Sequence, residues 1–143
     1  MDERGQHSAP DGAATILVCD DDPSLRELVR AVLGPRYRFL EAADGTEALA
    51  LARDEHPDLI VLDVMLPGLS GIEVLEALRS DDVLSGMPVV VITAWSHAEI
   101  DAQVAGADRF VSKPFDPDDL STAVEELLGV GSTEPTGPER EAP

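Results

Sequence analysis

The sequence predicts a doubly wound α/β fold built on a five-stranded parallel sheet. Three observations carry this. Short, almost wholly apolar runs alternate with amphipathic stretches at helical spacing. The runs are too uniformly apolar for a sheet with one face in water, so helices must cover both faces. The cycle repeats five times in one chain of 143 residues, which fits strand order 2-1-3-4-5.

The elements follow in order. Ile16–Cys19 is the first strand. Ser24–Leu33 is the first helix, with Leu25, Leu28, Val29, Val32 and Leu33 on one face until Gly34 and Pro35 stop it. Tyr37–Ala42 is a weaker strand. Asp44–Glu55 is an Ala- and Leu-rich helix closed by His56 and Pro57. Leu59–Leu62 is a second strong strand. Ser70–Arg79 opens on a capping box, Ser70 with Glu73. Pro88–Ile92 is a third strong strand, and Ala98–Ala105 a short helix ended by Gly106. Arg109–Ser112 is the last strand. Asp116 and Pro117 cap a final helix whose apolar face is Leu120, Ala123, Val124, Leu127 and Leu128. Residues 1–14 and 129–143 are polar and rich in Gly, Pro and acids. They are expected to be disordered tails flanking one domain at 15–128, the second being a tail or a linker.

Ten basic against 29 acidic residues give a net charge of −19, which argues against direct nucleic-acid binding by this chain. It suits cations or basic protein surfaces. No run of roughly eighteen apolar residues is present, so no membrane span is expected. No basic start precedes an apolar stretch at the N-terminus, and Cys19 has no partner for an internal disulfide, so a cytoplasmic location is expected. Of the ten basic residues only Lys113 is a lysine. A compact ammonium and a planar guanidinium do different chemistry.

Parallel α/β sheets bind ligands beyond the carboxyl ends of their strands. The first strand is followed by Asp20, Asp21 and Asp22, the third by Asp63, the fourth by Thr93 and Ala94, and the fifth by Ser112, Lys113 and Pro114. The second runs into Glu41, Ala42 and Ala43 and adds nothing clear. Asp22 before Pro23 reads as the cap of the first helix, which leaves Asp20 and Asp21 for function. Crowded carboxylates need a proton or a cation. An all-oxygen set without His or thiolate suits Mg2+. With Lys113 as a second positive charge, Asp63 becomes a plausible nucleophile for phosphoryl transfer, which needs mostly positioning and charge neutralisation. The Thr93 hydroxyl is suited to donate a hydrogen bond to the phosphoryl group.

Four blocks, ILVCDDDPSLRELV, LIVLDVMLPGLSGIEVL, VVVITA and GADRFVSKPF, resemble the signatures of the response regulator receiver family of two-component signalling. The resemblance covers about residues 15–128 and rests on the order and spacing of the blocks. It implies a flavodoxin-like (βα)5 fold, Asp63 as phosphoacceptor, and Mg2+ held by Asp20, Asp21, Asp63 and the backbone carbonyl of Met65. Thr93, Ala94 and Lys113 would contact the phosphoryl group. Phe110 would be the aromatic switch residue, without the hydroxyl that a tyrosine there would bring. Pro114 would follow a cis peptide bond. Met65 and Trp95 would tune phosphate lifetime, and their bulk suggests slow hydrolysis, with Trp95 gating water.

The implied partners are a histidine kinase or phosphotransfer protein and a downstream protein of unknown identity, with a monomer or a phosphorylation-dependent dimer as the assembly. The domain would be a signalling module rather than an enzyme, promoting only its own phosphorylation and dephosphorylation. The fourth helix, fifth strand and fifth helix would form its switch face. No basic helix-turn-helix follows residue 128 here, so a stand-alone receiver is expected. An aspartate-based phosphatase is disfavoured because Met65 stands where its general acid would be. An unphosphorylated interaction module would lack an acceptor, metal pair or lysine, and none is missing. His7, His56 and His97 read as surface residues, Cys19 as a small buried hydrophobe, and Gly68, Ser70 and Gly71 as turn chemistry rather than a phosphate cradle.

Overall fold

Every residue of β3 (Leu59–Asp63) and β4 (Val89–Thr93) is buried, as expected for central strands covered on both faces. The computed structural model describes residues 12–93, 106–113 and 116–129. Before these strands come β1 (Thr15–Cys19), α1 (Pro23–Leu33), β2 (Arg38–Ala42) and α2 (Gly45–Glu55). Helix α3 (Gly71–Ser80) joins β3 to β4, and β5 (Arg109–Ser112) and α4 (Pro117–Leu128) follow. The sheet is parallel throughout, in the order β2-β1-β3-β4-β5. This is the doubly wound, flavodoxin-like class that the sequence predicts.

Alternation along the strands builds two cores. Leu17, Cys19, Ile60, Leu62, Val89 and Val91 face α2 and α3, meeting Leu49, Ala52, Val74, Leu75 and Leu78. Ile16, Val18, Leu59, Val61, Val90 and Ile92 face α1 and α4, meeting Val29, Leu33, Leu120 and Val124. Each fully buried Leu, Ile or Val is worth about 1.5–3 kcal/mol, so both cores are needed to hold the sheet.

The helix starts are set by side chains that accept a backbone N–H. Asp22 caps α1, Asp116 caps α4, and Ser70 with Glu73 forms the predicted capping box on α3. Asp44, expected inside α2, is instead its cap. His56 closes α2 at φ 49° and is exposed, as expected for a surface histidine. At the opposite end of the sheet Arg79 ties α3 to the start of β5. Its guanidinium donates to the carbonyls of Gly106, Ser85 and Met87 and to Asp108.

Two glycines bring the loop after β3 against its neighbours. A Cβ on Gly45 would land on the Leu69 backbone, and one on Gly71 on the Asp63 carbonyl, with Val64 Cα only 2.7 Å away. Gly71→Ala is therefore expected to destabilise by about 1–3 kcal/mol despite alanine's better helix propensity, because backbone must move. Urea unfolding checks this; an unchanged midpoint would refute the close packing.

Several expectations fall outside the described residues: the helix at 98–105, His7 and His97, Ala94, Trp95 and Pro114, and nearly all of both tails.

Candidate functional site

Strands β1, β3, β4 and β5 are consecutive in the sheet, so their carboxyl ends stand side by side. Asp63 and Thr93 are the last residues of β3 and β4, one step deeper than the apolar runs suggested. Asp20 directly follows β1 and Lys113 directly follows β5. The ladder aligns them: Cys19 pairs with Leu62, Asp63 with Ile92, and Thr93 with Ser112. Asp20, Asp63 and Thr93 are the buried polar or charged residues among those described, each no more than 3% exposed.

Lys113 Nζ donates to Asp63 Oδ2 at 2.9 Å and lies 3.6 Å from Asp20 Oδ2. The Met65 N–H donates to the other Asp63 oxygen, Oδ1, at 3.0 Å. The Asp22 N–H donates to Asp20 Oδ1 at 2.9 Å. Asp20 Oδ2 has no hydrogen-bond partner although it is buried. A buried carboxylate oxygen left in that state is costly.

The electrostatics follow from this geometry. Burial, chiefly, pushes the Asp20 carboxyl from 3.8 up to about 6. The Asp22 N–H and Lys113 pull it down, while neighbouring Asp63 pushes it further up. Partial burial pulls the Lys113 ammonium down, but Asp63 and Asp20 outweigh it and leave it raised. Burial pushes the Cys19 thiol far up, so it is a protonated core residue.

Asp20, Asp21 and Asp63 can bring one carboxylate oxygen each within 4.8 Å of the others. Together with the orphaned Asp20 oxygen, this all-oxygen set fits a hard divalent cation such as Mg2+. The predicted pair is asymmetric: Asp20 is buried and Asp21 exposed. Asp22 is occupied as the α1 cap. The Met65 side chain is 60% exposed, and its backbone N–H is what reaches Asp63. Phe110 is part-buried on β5, packed against the core shared with α2 and α3.

Two residues were missed. Arg26 donates through Nη1 to the Asp20 carbonyl at 2.6 Å and through Nε to Glu41 at 2.8 Å. Arg30 also binds Glu41. Glu41 was visible only as a charge ending a weak strand. Its pairing with a helix residue 15 positions earlier leaves no periodic signal.

The chain belongs to the response regulator receiver domain family, whose model matches residues 16–125. It is 43% identical over 124 residues to the DNA-binding response regulator MtrA of Mycolicibacterium smegmatis, a match covering 84% of this chain and 53% of that protein. The chain thus spans about half the length of the curated relatives it matches. Among solved structures it is similar to the chemotaxis response regulator CheY4 of Vibrio cholerae, with TM-score 0.75, 31% identity, and coverage of 81% of this chain and 99% of that one. The receiver domain of a Francisella response regulator is similar at TM-score 0.73 and 31% identity, covering 81% and 97%. Receiver domains of this family pair with histidine kinases, and accepting a phosphoryl group on an aspartate is general among them. No described helix is long and apolar enough to cross a membrane.

Proposed function

We propose that Asp63 accepts a phosphoryl group from the phosphohistidine of a kinase or phosphotransfer protein, and that the modified domain switches its protein partners. The observation that carries this is a buried carboxylate with a lysine at 2.9 Å, beside a second buried carboxylate with an orphaned oxygen. In the transfer an Asp63 oxygen bonds to phosphorus as the phosphorus–nitrogen bond breaks, and the electron pair returns to the donor imidazole. Lys113 stays paired with the developing charge, and the Met65 N–H steadies the acceptor carboxylate. The Thr93 hydroxyl and the Ala94 backbone would contact the phosphoryl oxygens. Asp20, Asp21, Asp63 and the Met65 carbonyl would hold Mg2+, which when bound offsets the anionic charge and takes a phosphoryl oxygen.

The phosphoryl group carries about −1.5 to −2 charges in place of the single charge of the Asp63 carboxylate, beside Asp20. Thr93 and Lys113 would move toward that charge, with Phe110 following, shifting the population of conformers on the surface of β5, α4 and the segment before β5. Phosphorylation-dependent dimerisation would use the same surface. The net charge of −19 supports a protein partner rather than nucleic acid for this chain. The DNA-binding activity named for MtrA is that protein's. Met65 and Trp95 would slow hydrolysis of the acyl phosphate; rapid loss that Trp95→Ala leaves unchanged would refute this.

Beryllofluoride with magnesium, a mimic of the acyl phosphate, provides the test. Amide resonances of Thr93, Phe110 and Lys113 are expected to shift further when both are added than with magnesium alone. Spectra unmoved by the pair would sink the proposal.

A further inference from the structure

Arg26 reaches the site from α1. Asp20 leaves β1 where the chain turns toward α1. Its N–H still joins the ladder, donating to the Ala42 carbonyl at 3.1 Å, but its own carbonyl has run past the sheet. Arg26, on the turn of α1 that follows the cap, fills that vacancy with Nη1 at 2.6 Å. Its Nε is held at 2.8 Å by Glu41, the β2 residue in register with Val18. The Arg26 side chain is only 16% exposed, so this fork is largely shielded from water. Burial alone would push the Glu41 carboxyl up, but Arg26 and Arg30 outweigh it and leave it lowered, so it stays ionised.

Asp20 is thereby fixed at three points: its N–H by β2, its carbonyl by Arg26, and Oδ1 by the Asp22 N–H. The one atom left without a hydrogen bond is Oδ2, 3.6 Å from the Lys113 ammonium. We propose that Arg26, clamped by Glu41, is a positioning residue that presets Asp20 Oδ2 for a small divalent cation and so gives the site its preference for Mg2+ over Ca2+. The inference rests on the reading of Asp20 as a magnesium ligand.

Two physical arguments give the proposal a sign. A cationic guanidinium near a cation site repels the ion, so charge alone predicts tighter binding when Arg26 is removed. Positioning predicts the reverse, because groups that orient a ligand typically cost about 10–100-fold in metal affinity when lost. Mg2+ demands near-ideal octahedral geometry, whereas Ca2+ tolerates a looser and more variable shell. Loosening Asp20 therefore harms Mg2+ binding more than Ca2+ binding. A general loss of fold would harm both.

Titration calorimetry of the whole chain with MgCl2 and with CaCl2 tests this on the unaltered protein, Arg26→Gln and Glu41→Gln. Glu41→Gln frees Arg26 without removing it, and it reads the same quantity should Arg26→Gln fail to fold. Both variants are expected to raise the Mg2+ Kd about tenfold while changing the Ca2+ Kd by less than about twofold. Unchanged or tighter Mg2+ binding overturns the proposal, and so does equal weakening for both ions. An unaltered protein that binds no Mg2+ at all overturns instead the reading of the acidic site on which the proposal depends.

Discussion

Asp63→Asn is expected to abolish acid-labile phosphorylation, lowering label uptake from a phosphohistidine donor by more than about 100-fold. Asparagine keeps an oxygen for the Met65 N–H, so the loop after β3 should hold its shape. It loses the anionic nucleophile and the ion pair with Lys113. The amide is a poor nucleophile, and no other described carboxylate has a lysine at 2.9 Å. Asp20 is 3.6 Å from Lys113, beyond a hydrogen bond, and its Oδ1 is held by the Asp22 N–H, which weakens it as a substitute acceptor. Autoradiography after acid and base treatment reads the result. Label that persists in the variant at the level of the unaltered protein would place the acceptor elsewhere.

The second large effect is a pH dependence of stability that magnesium removes. Asp20 has a folded value of about 6 against an ordinary 3.8. A carboxyl raised on folding contributes stability that is fully present below its unfolded value and is lost as pH rises through the folded one. Between about pH 4 and 7 ionisation of this group should therefore progressively destabilise the metal-free protein. Glu41, whose value is lowered, acts in the opposite sense and only below its ordinary 4.5, at the acid edge of that window, and it does so equally in protein and variant. Lys113, raised from 10.5, changes nothing until far higher pH. Asp20→Asn removes the ionisation while keeping a polar group of the same size. It should be more stable than the unaltered protein at pH 7.5 and show little difference at pH 4. Added Mg2+ should stabilise the unaltered protein strongly at pH 7.5 and weakly at pH 5, where a proton competes for Asp20. Urea midpoints at these pH values decide it. Parallel pH profiles for protein and variant would mean that Asp20 carries no such strain.

Much of the architecture was legible. Leu59–Leu62 and Pro88–Ile92 are legible as strands by their unbroken apolar character, because a strand buried on both faces has no polar side to interrupt it. That apolar signal ends one residue before the strands do, at Asp63 and Thr93. Parallel pairing is made by the backbone, and it continues under a polar side chain as readily as under valine. Caps at Asp22, Ser70 and Asp116 were visible because capping is local in sequence. The cap at Asp44 is ambiguous in sequence because an acidic residue is also at home in a helix's first turn.

The site divides along the same line. Order of elements and residue types at strand ends are written along the chain. From them alone the sequence determined a parallel sheet, and a group of acids, a threonine and the single lysine at one edge of it. What only the tertiary structure decided is how those groups differ from one another. Asp20 is buried with an unpartnered oxygen, and Asp21 beside it is exposed, though the two are chemically identical neighbours. Met65 serves through its N–H while its side chain stands in solvent. Arg26 and Glu41 join three elements around the Asp20 carbonyl. Burial, side-chain direction and pairing across strands depend on which surfaces close over one another. No local pattern encodes that closure, because each partner is supplied by a different part of the chain.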